Sequence, residues 1–340
     1  MNPQDFRLSR REVIKKTILF STALVAGRWA SGLHAQAEGV AAPPKTDFAE
    51  GGMHLLAVGD YGSKNESQRI VARQMAQFAR QLKRPLEAVL ALGDNFYGKM
   101  TPERFERDFE QMYDAQALPC PFHACIGNHD YEKTTYGRDP EPRKWEVELE
   151  YAKENPQSRW KMPAKWYALE LPNPQRPLLK MIVLDSNIQE GALTPQEKLA
   201  QRRFLEAELA KGTKAPWLWL VWHHPVFTQT TKRKDNPALL RVVDEALKTQ
   251  PFSICLAGHD HNLQHLRVEG YRPSFVVSGA GGADRYEVTT SAERGFTKMD
   301  LGFNHFHVTP ERLHCQFIDG DGQCLHAFRR TREGKVEVVT

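Results

Sequence analysis

The sequence predicts an α/β domain, and two observations support that prediction. Six short apolar runs each end in a polar or glycine-rich turn, which is typical of buried strands. Amphipathic helical patterns lie between these runs, and such alternation favours an α/β architecture. The six runs are His54–Val58, Ala88–Leu92, Phe122–Ile126, Leu178–Leu184, Trp217–Trp222 and Ser253–Ala257.

Helices are predicted where apolar residues recur at helical spacing. One begins at Thr194-Pro195-Gln196-Glu197, a capping box with proline at the first helical position. The other three patterns cover residues 70–82, 105–113 and 239–247.

Two further segments complete the predicted domain. From Phe275 onward the pattern is mostly strand-like, which predicts that a second sheet finishes the fold. Residues 133–165 are polar and contain proline, so we expect a surface excursion with a helix near Trp145–Lys153.

Composition and charge exclude several classes of protein. With 41% hydrophobic residues in 340, the chain has enough apolar material for a core, and no run of 18 apolar residues predicts a stable membrane span. The chain has 46 basic and 42 acidic residues. Residues 1–37 contain six basic and two acidic ones, so the remainder is formally neutral. A dedicated nucleic-acid binder is therefore not expected.

The N-terminus has the order of a signal peptide. Ser9–Lys15 contains the Arg10-Arg11 pair, Ile18–Ala26 is apolar, and Ala35-Gln36-Ala37 is a small-x-small cleavage site. The arginine pair indicates the twin-arginine (Tat) export machinery, which predicts a periplasmic or secreted protein. An N-terminal helix packed on the domain and an uncleaved anchor are the alternatives.

These observations define the expected domain organisation. Residues 1–37 are the twin-arginine signal peptide and residues 38–52 a flexible leader. Residues 53–330 form one catalytic domain, and residues 331–340 form a C-terminal tail. Oligomeric state is not predicted by any feature of the sequence.

Polar residues with metal-binding chemistry follow the predicted strands. Ligands collect at the carboxyl ends of strands in α/β sheets, and oxygen and nitrogen ligands without thiolates suit a pair of borderline-hard metal ions. Each motif alone is weak, because a Gly-Asp pair is usually a turn; the ordered series is far more specific. Its members are Asp60, Asp94, Tyr97, Asn128, His129, His223, His224, His259 and His261.

This series resembles that of the calcineurin-like metallophosphoesterase superfamily and, within it, the purple acid phosphatases. The resemblance runs from about Met53 to about Phe328. Within the family, the sequence is similar to the small mammalian-type (tartrate-resistant) branch. It implies the metallophosphoesterase fold, in which two mixed β-sheets pack as a sandwich flanked by helices in four layers, αββα. The similar stretches are Ala91–Tyr97, Gly127–Asp130, Ala257–Gln264 and Ser278–Gly282.

The resemblance implies a binuclear metal centre with Asp94 as the bridging ligand. The first motif is Asp60-Tyr61-Gly62 and lacks the histidine of the general superfamily, while Tyr97 follows Asp94 by three residues. A phenolate makes the first site harder and more anionic, which favours Fe(III), whereas the second site accepts Fe(II), Zn or Mn. The implied ligands are Asp60, Asp94, Tyr97 and His261 for the first metal, and Asp94, Asn128, His223 and His259 for the second.

The implied activity is a secreted acid phosphatase that hydrolyses small phosphate monoesters by attack of a metal-activated hydroxide. His129 is expected to stabilise transition-state charge or protonate the leaving group. A second outer-shell histidine is expected nine residues after His223, where this chain has Lys232, so His224 is a second catalytic candidate. Asp130 is expected to orient His129 or to cap the loop.

Two alternatives to this activity stay open. A phosphodiesterase or nucleotide pyrophosphatase would use the same metal scaffold, and a non-enzymatic metal- or phosphate-binding protein would keep only the fold.

Cys315 and Cys324 flank a hairpin turn. A two-residue turn would allow them to form a disulfide, and a four-residue turn would not.

Overall fold

The computed structural model describes residues 42–46, 48, 51–101, 103–135, 141–188, 192–289 and 294–339. These residues form two mixed β-sheets packed face to face, with helices on both outer faces. The predicted four-layer fold class is therefore confirmed. The predicted signal peptide lies outside the described residues.

The first sheet has eight strands, and its parallel strands form the half whose loops contain Asp60, Asp94 and Asn128. β1, β2, β3 and β4 run parallel, and the remaining strands continue antiparallel from β1. In spatial order the strands are β15 (Val336–Val338), β14 (Cys324–Thr331), β13 (Arg312–Asp319), β12 (Gly302–Val308), β1 (Met53–Val58), β2 (Leu86–Ala91), β3 (Phe122–Ala124) and β4 (Trp160–Lys161).

The second sheet has seven strands around a parallel core. β6, β7, β8 and β10 run parallel, and β5 and β9 flank them in the antiparallel sense. In spatial order the strands are β11 (Gly295–Lys298), β9 (Leu263–Leu266), β10 (Ser274–Ser278), β8 (Phe252–Ala257), β7 (Trp217–Val221), β6 (Leu179–Val183) and β5 (Tyr167–Leu171).

The central strands are apolar along their whole length because both of their faces are buried. Leu55 and Leu90 of the first sheet share a fully buried core with Trp219 and Ile254 of the second. This shared core holds the sheets together and fixes the position of one set of strand ends relative to the other.

Helices cover the outer faces of both sheets. Asn65 caps α1 by accepting a hydrogen bond from the Gln68 N–H at 3.0 Å, and Val71, Met75 and Phe78 bury the apolar face of that helix. Among the described helices, none has the length and apolarity needed to cross a membrane. The helices are α1 (Glu66–Leu82), α2 (Glu103–Phe105, continued by a π-helical turn), α3 (Lys144–Glu154), α4 (Pro195–Lys211) and α5 (Pro237–Thr249).

The C-terminal strands differ from the sequence-based expectation. Strands β10 and β11 extend the second sheet, whereas β12 to β15 join the first sheet through β1. They do not form a separate sheet, because β12 pairs with the otherwise open edge of β1. Strand β15 lies within residues 331–340, which the sequence assigned to a tail, and it pairs with β14.

The described residues of the predicted leader lie against the first sheet. The Ala42 carbonyl accepts a hydrogen bond from the Cys324 N–H at 2.7 Å, and the Phe48 ring lies 5.3 Å from the His54 ring. All five cysteines are free. Cys315 lies opposite Phe328 and not opposite Cys324, so the hairpin has the register of the longer turn.

Candidate metal centre

Strand ends from both sheets meet at one edge of the sandwich, where they present the predicted ligands. Asp60 and Asp94 follow β1 and β2, and Asn128 follows β3 through a short loop. From the second sheet, His223 follows β7, and His259 follows β8. His261 lies two residues beyond His259, so the two sheets share the site.

The backbone is held in an unusual conformation at three of these positions. Asp60, Asp94 and His259 have positive φ angles of 57°, 51° and 67°. Such conformations are uncommon for residues other than glycine and are concentrated at functional sites. Gly93, before Asp94, has a φ of +85°, and a Cβ there would lie 2.7 Å from the Gly127 nitrogen. The close approach of the loops therefore requires glycine.

Three of the predicted ligands surround the hydroxyl of a fourth, Tyr97. The phenol oxygen lies 3.2 Å from Asp60 Oδ1, 3.1 Å from Asp94 Oδ2 and 3.3 Å from His261 Nε2. His261 Nδ1 donates to the Asp284 carbonyl at 2.5 Å, which directs Nε2 towards the carboxylates. These are the four residues expected to hold the first metal.

The other predicted ligands surround His223 Nε2. This atom lies 3.2 Å from Asn128 Oδ1, 3.1 Å from His259 Nδ1 and 3.5 Å from Asp94 Oδ1. His223 Nδ1 donates to the Leu92 carbonyl at 2.7 Å, which leaves Nε2 facing the cluster. Asp94 thus contacts one group through Oδ2 and the other through Oδ1, as a bridging ligand would.

The electrostatics of the cluster favour positive charge. Burial opposes protonation of His223, but Asp94 and Asp60 outweigh it and raise the pKa of His223 to about 9. Burial and the same two carboxylates raise the pKa of Tyr97 well above its usual value, so the phenol ionises only when additional positive charge is close. Buried oxygen and imidazole atoms without thiolates are the ligands that hard and borderline cations prefer, so these residues fit a metal pair.

His129, the first predicted catalytic residue, lies beside this cluster and has a carboxylate partner. Its N–H donates to Asp94 Oδ1 at 2.8 Å, and its ring lies 4.6 Å from the Tyr97 ring. His129 Nδ1 lies 2.6 Å from Glu132 Oε1, and Glu132 Oε2 accepts from Lys144 Nζ at 2.8 Å. The imidazole is 37% exposed, so it is accessible from the solvent.

Sequence reasoning missed Glu132 and Lys144. The spacing of three residues between His129 and Glu132 is a signal for a contact across one helical turn, and residues His129–Tyr131 form a 3-10 turn. No local signal indicates Lys144. It begins α3 and is fully buried between Glu132 and the Phe96 carbonyl. The segment 133–165 is therefore not only a surface excursion, and its strand β4 joins the first sheet.

His224, the second predicted catalytic residue, lies close to two of the predicted ligands, His223 and His259, and one ring nitrogen of each of these three histidines lies within 4.8 Å of the others. Its ring lies 4.1 Å from that of His259, and its Nδ1 lies 2.8 Å from Ser186 Oγ. Burial and the neighbouring His223 lower the pKa of His224 well below its usual value, so the imidazole is neutral. Ser186 is a third residue near the site that the sequence motifs did not indicate.

Asp130 has the contacts of a cap on the loop after β3, which is the second of its two expected roles. Its carboxylate accepts hydrogen bonds from the Gly127 N–H at 2.8 Å and the Asn95 N–H at 3.0 Å. Burial and Asp94 raise the pKa of Asp130 to about 6.

Lys232 occupies the position of the expected second histidine. Its ammonium lies 3.7 Å from the centre of the Tyr286 ring, which also stacks on the His261 ring at 4.0 Å.

Comparisons with known proteins agree with this geometry. A model of the calcineurin-like phosphoesterase family matches residues 53–263. Tartrate-resistant acid phosphatase type 5 from Homo sapiens is 25% identical over 327 residues, covering 86% of this chain and 95% of that protein. Purple acid phosphatase 17 from Arabidopsis thaliana is 27% identical, covering 86% of this chain and 87% of that protein.

Two solved structures share the fold. GAP50, described as the anchor in the inner membrane complex of Plasmodium, has a TM-score of 0.68 at 15% identity, covering 85% of this chain and 89% of that one. Purple acid phosphatase from yellow lupin (Lupinus luteus) seeds has a TM-score of 0.62 at 16% identity, covering 85% of this chain and 55% of that one. The predicted family and fold are both confirmed.

The geometry predicts that Asp94 is the residue on which metal loading depends most. Asp94→Asn retains the shape of the side chain but removes the negative charge that the two sets of metal ligands share. We expect bound metal, measured by elemental analysis, to fall from about two ions per chain to fewer than one, because carboxylate ligands supply much of the binding free energy. Asp321→Asn, at an exposed carboxylate in the turn between β13 and β14 that is not one of the proposed ligands, is the control. A folded Asp94→Asn protein that retains both metals would contradict the assignment.

Proposed function

The chain belongs to the calcineurin-like phosphoesterase family, and from that premise we propose that it is a binuclear-metal acid phosphatase acting on phosphate monoesters. The observation that supports this activity is the convergence of seven oxygen and nitrogen side chains from both sheets beside His129. The relatives named above as acid phosphatases point to the same chemistry.

We propose that Asp60, Asp94, Tyr97 and His261 hold Fe(III), and that Asp94, Asn128, His223 and His259 hold Fe(II), Zn or Mn. When bound, the metals neutralise phosphoryl oxygens and lower the pKa of coordinated water. Tyr97 supplies the anionic oxygen that selects the ferric ion, while the two backbone-anchored imidazoles, His223 and His261, keep their free nitrogens directed at the site.

His129 carries the proton chemistry in this proposal. Glu132 accepts from His129 Nδ1, which holds a proton at that atom and leaves Nε2 to interact with the substrate. Lys144 fixes the other oxygen of Glu132, so the carboxylate cannot rotate away. An imidazolium oriented in this way stabilises negative charge on the phosphoryl group or donates its proton to the leaving oxygen.

His129→Ala tests this role. We expect both metals to remain bound and kcat with p-nitrophenyl phosphate to fall about 10²–10⁴-fold, because general acid and charge stabilisation are lost at one position. The paired measurement is turnover of bis(p-nitrophenyl) phosphate by the unaltered protein. A preference for the diester would replace this proposal with the phosphodiesterase alternative, and zero turnover of both esters by metal-loaded protein would favour a binding protein.

Tyr97→Phe tests the ferric site. A phenolate bound to Fe(III) produces a visible charge-transfer band, so we expect the purified protein to be coloured and the variant to be colourless. We expect the loss of one hydroxyl to leave the fold intact, because the phenylalanine ring can keep the contact that the Tyr97 ring makes with His129. Visible spectra with metal analysis of both proteins give the answer; fully iron-loaded protein without a visible band would refute the phenolate assignment.

We also propose that residues 1–37 direct Tat export to the periplasm or the medium, after which phosphomonoesters outside the cytoplasm are the substrates. The arginine pair Arg10-Arg11 and the small-residue site at Ala35–Ala37 support this proposal. In a bacterium with a Tat system, Arg10→Lys with Arg11→Lys should retain the protein in the cytoplasm at full length, as judged by fractionation and mass. Unchanged export of this double variant would exclude the Tat route.

A further inference from the structure

Helix α3 buries two charged residues against the loops of the candidate metal centre. Lys144 and Glu148 lie one turn apart, and they are the two buried residues of this helix. Lys144 holds Glu132, as described above. On the basis of the proposed metal centre, we propose that Glu148 is a positioning residue. Its neutral carboxyl donates a hydrogen bond to Asp130 and so fixes the loops that carry the ligands of the first sheet.

The Glu148 side chain has no cation to compensate a negative charge. Its Oε2 accepts from the neutral Asn95 amide at 2.9 Å, and no donor among the described residues reaches Oε1. Lys144 lies near enough to attract a negative charge, but its hydrogen bonds go to other residues. Burial and the neighbouring Asp130 raise the pKa of Glu148 well above its usual value, so the carboxyl keeps its proton at neutral pH.

Asp130 is the acceptor for this proton. Its carboxylate lies within hydrogen-bonding reach of Glu148. Asp130 also accepts backbone N–H bonds from Gly127, Asn95 and Phe96 at 2.8, 3.0 and 3.3 Å, and such donors favour the ionised form of a carboxyl group. Glu148 accepts only from the Asn95 side chain among the described residues, so Glu148 is the member of the pair that holds the proton.

The side chain of Asn95 joins this pair to three loops of the first sheet. Its nitrogen donates to Asp130 Oδ2 at 3.2 Å and to the Cys125 carbonyl at 3.0 Å. Its oxygen accepts from the Tyr61 hydroxyl at 2.6 Å. The loops joined in this way carry the ligands Asp60, Asp94 and Asn128. A change at Glu148 therefore reaches all three ligands of the first sheet.

The role of a neutral donor predicts how substitutions at Glu148 behave. Glutamine has the shape of glutamic acid, and its NH2 group can donate to Asp130 while its carbonyl accepts from Asn95. Leucine fills a similar volume but leaves the buried Asp130 carboxylate without this donor. The loss of a hydrogen-bond partner behind metal ligands typically lowers metal affinity about 10–100-fold.

The first test measures how firmly the purified protein holds its metals. Bound metal is determined by elemental analysis while the protein is equilibrated with increasing chelator. We expect Glu148→Leu to lose metal at about 10–100-fold lower chelator, and Glu148→Gln to stay within about twofold of the unaltered protein. Glu154→Leu makes the same change at an exposed position of α3 and is the control. Equal losses in both Glu148 variants, or no loss in either, would overturn the inference.

An infrared measurement tests the proton itself and requires no turnover. A protonated carboxyl group has a carbonyl stretching band that differs from the bands of a carboxylate. At neutral pH we expect the difference spectrum between the unaltered protein and Glu148→Gln to contain this band. Its absence would overturn the inference even if Glu148→Leu fails to fold.

The two measurements also separate this inference from the proposed activity. If the metal is retained in the expected order but neither ester is hydrolysed, the proposed function is refuted and the role of Glu148 stands. If p-nitrophenyl phosphate is hydrolysed but the two Glu148 variants retain metal equally, the role of Glu148 is refuted and the proposed function stands.

Discussion

The structure depends on the close approach of electron-rich atoms that repel one another unless positive charge lies between them. Two carboxylates, a phenol and three imidazoles lie within about hydrogen-bonding distance of one another in a largely buried site. Burying such groups without compensating charge is costly. Asp94 and Asp60 raise the pKa of His223, so a protonated imidazole supplies part of the compensating charge. The same cost explains why the residues suit a pair of cations.

The fold is built to sustain that approach. Parallel strands of both sheets end at one edge, and the apolar core between the sheets fixes these ends relative to one another. Tight turns with positive φ then aim the side chains inward, and Gly93 permits contact between loops that any side chain would separate. The packed core that holds the strands therefore also fixes the positions of the loops that follow them.

Sequence reasoning found the parts of the site that are carried by local patterns. Apolar runs followed by Asp60, Asp94 or His223 are local signals, so the buried strands and the residues that gather at their ends were predictable. Lys144 was not, because its partner Glu132 is twelve residues away and the contact exists only once α3 folds back over the loop. The sheet joined by β12 to β15 was also beyond local reasoning, since strand pairing at the β1 edge depends on tertiary packing.

The two halves of the site have different structural origins. The ligand side chains lie at strand ends that the shared core of both sheets fixes, whereas the contact to Glu132 comes from α3, a helix outside both sheets. A substitution at Lys144 changes how tightly the Glu132 carboxylate is held without removing any of the seven proposed metal ligands. Changes in α3, whether by divergence or by engineering, can therefore alter how firmly Glu132 orients His129 while the motifs that gather at the sheet edge stay constant.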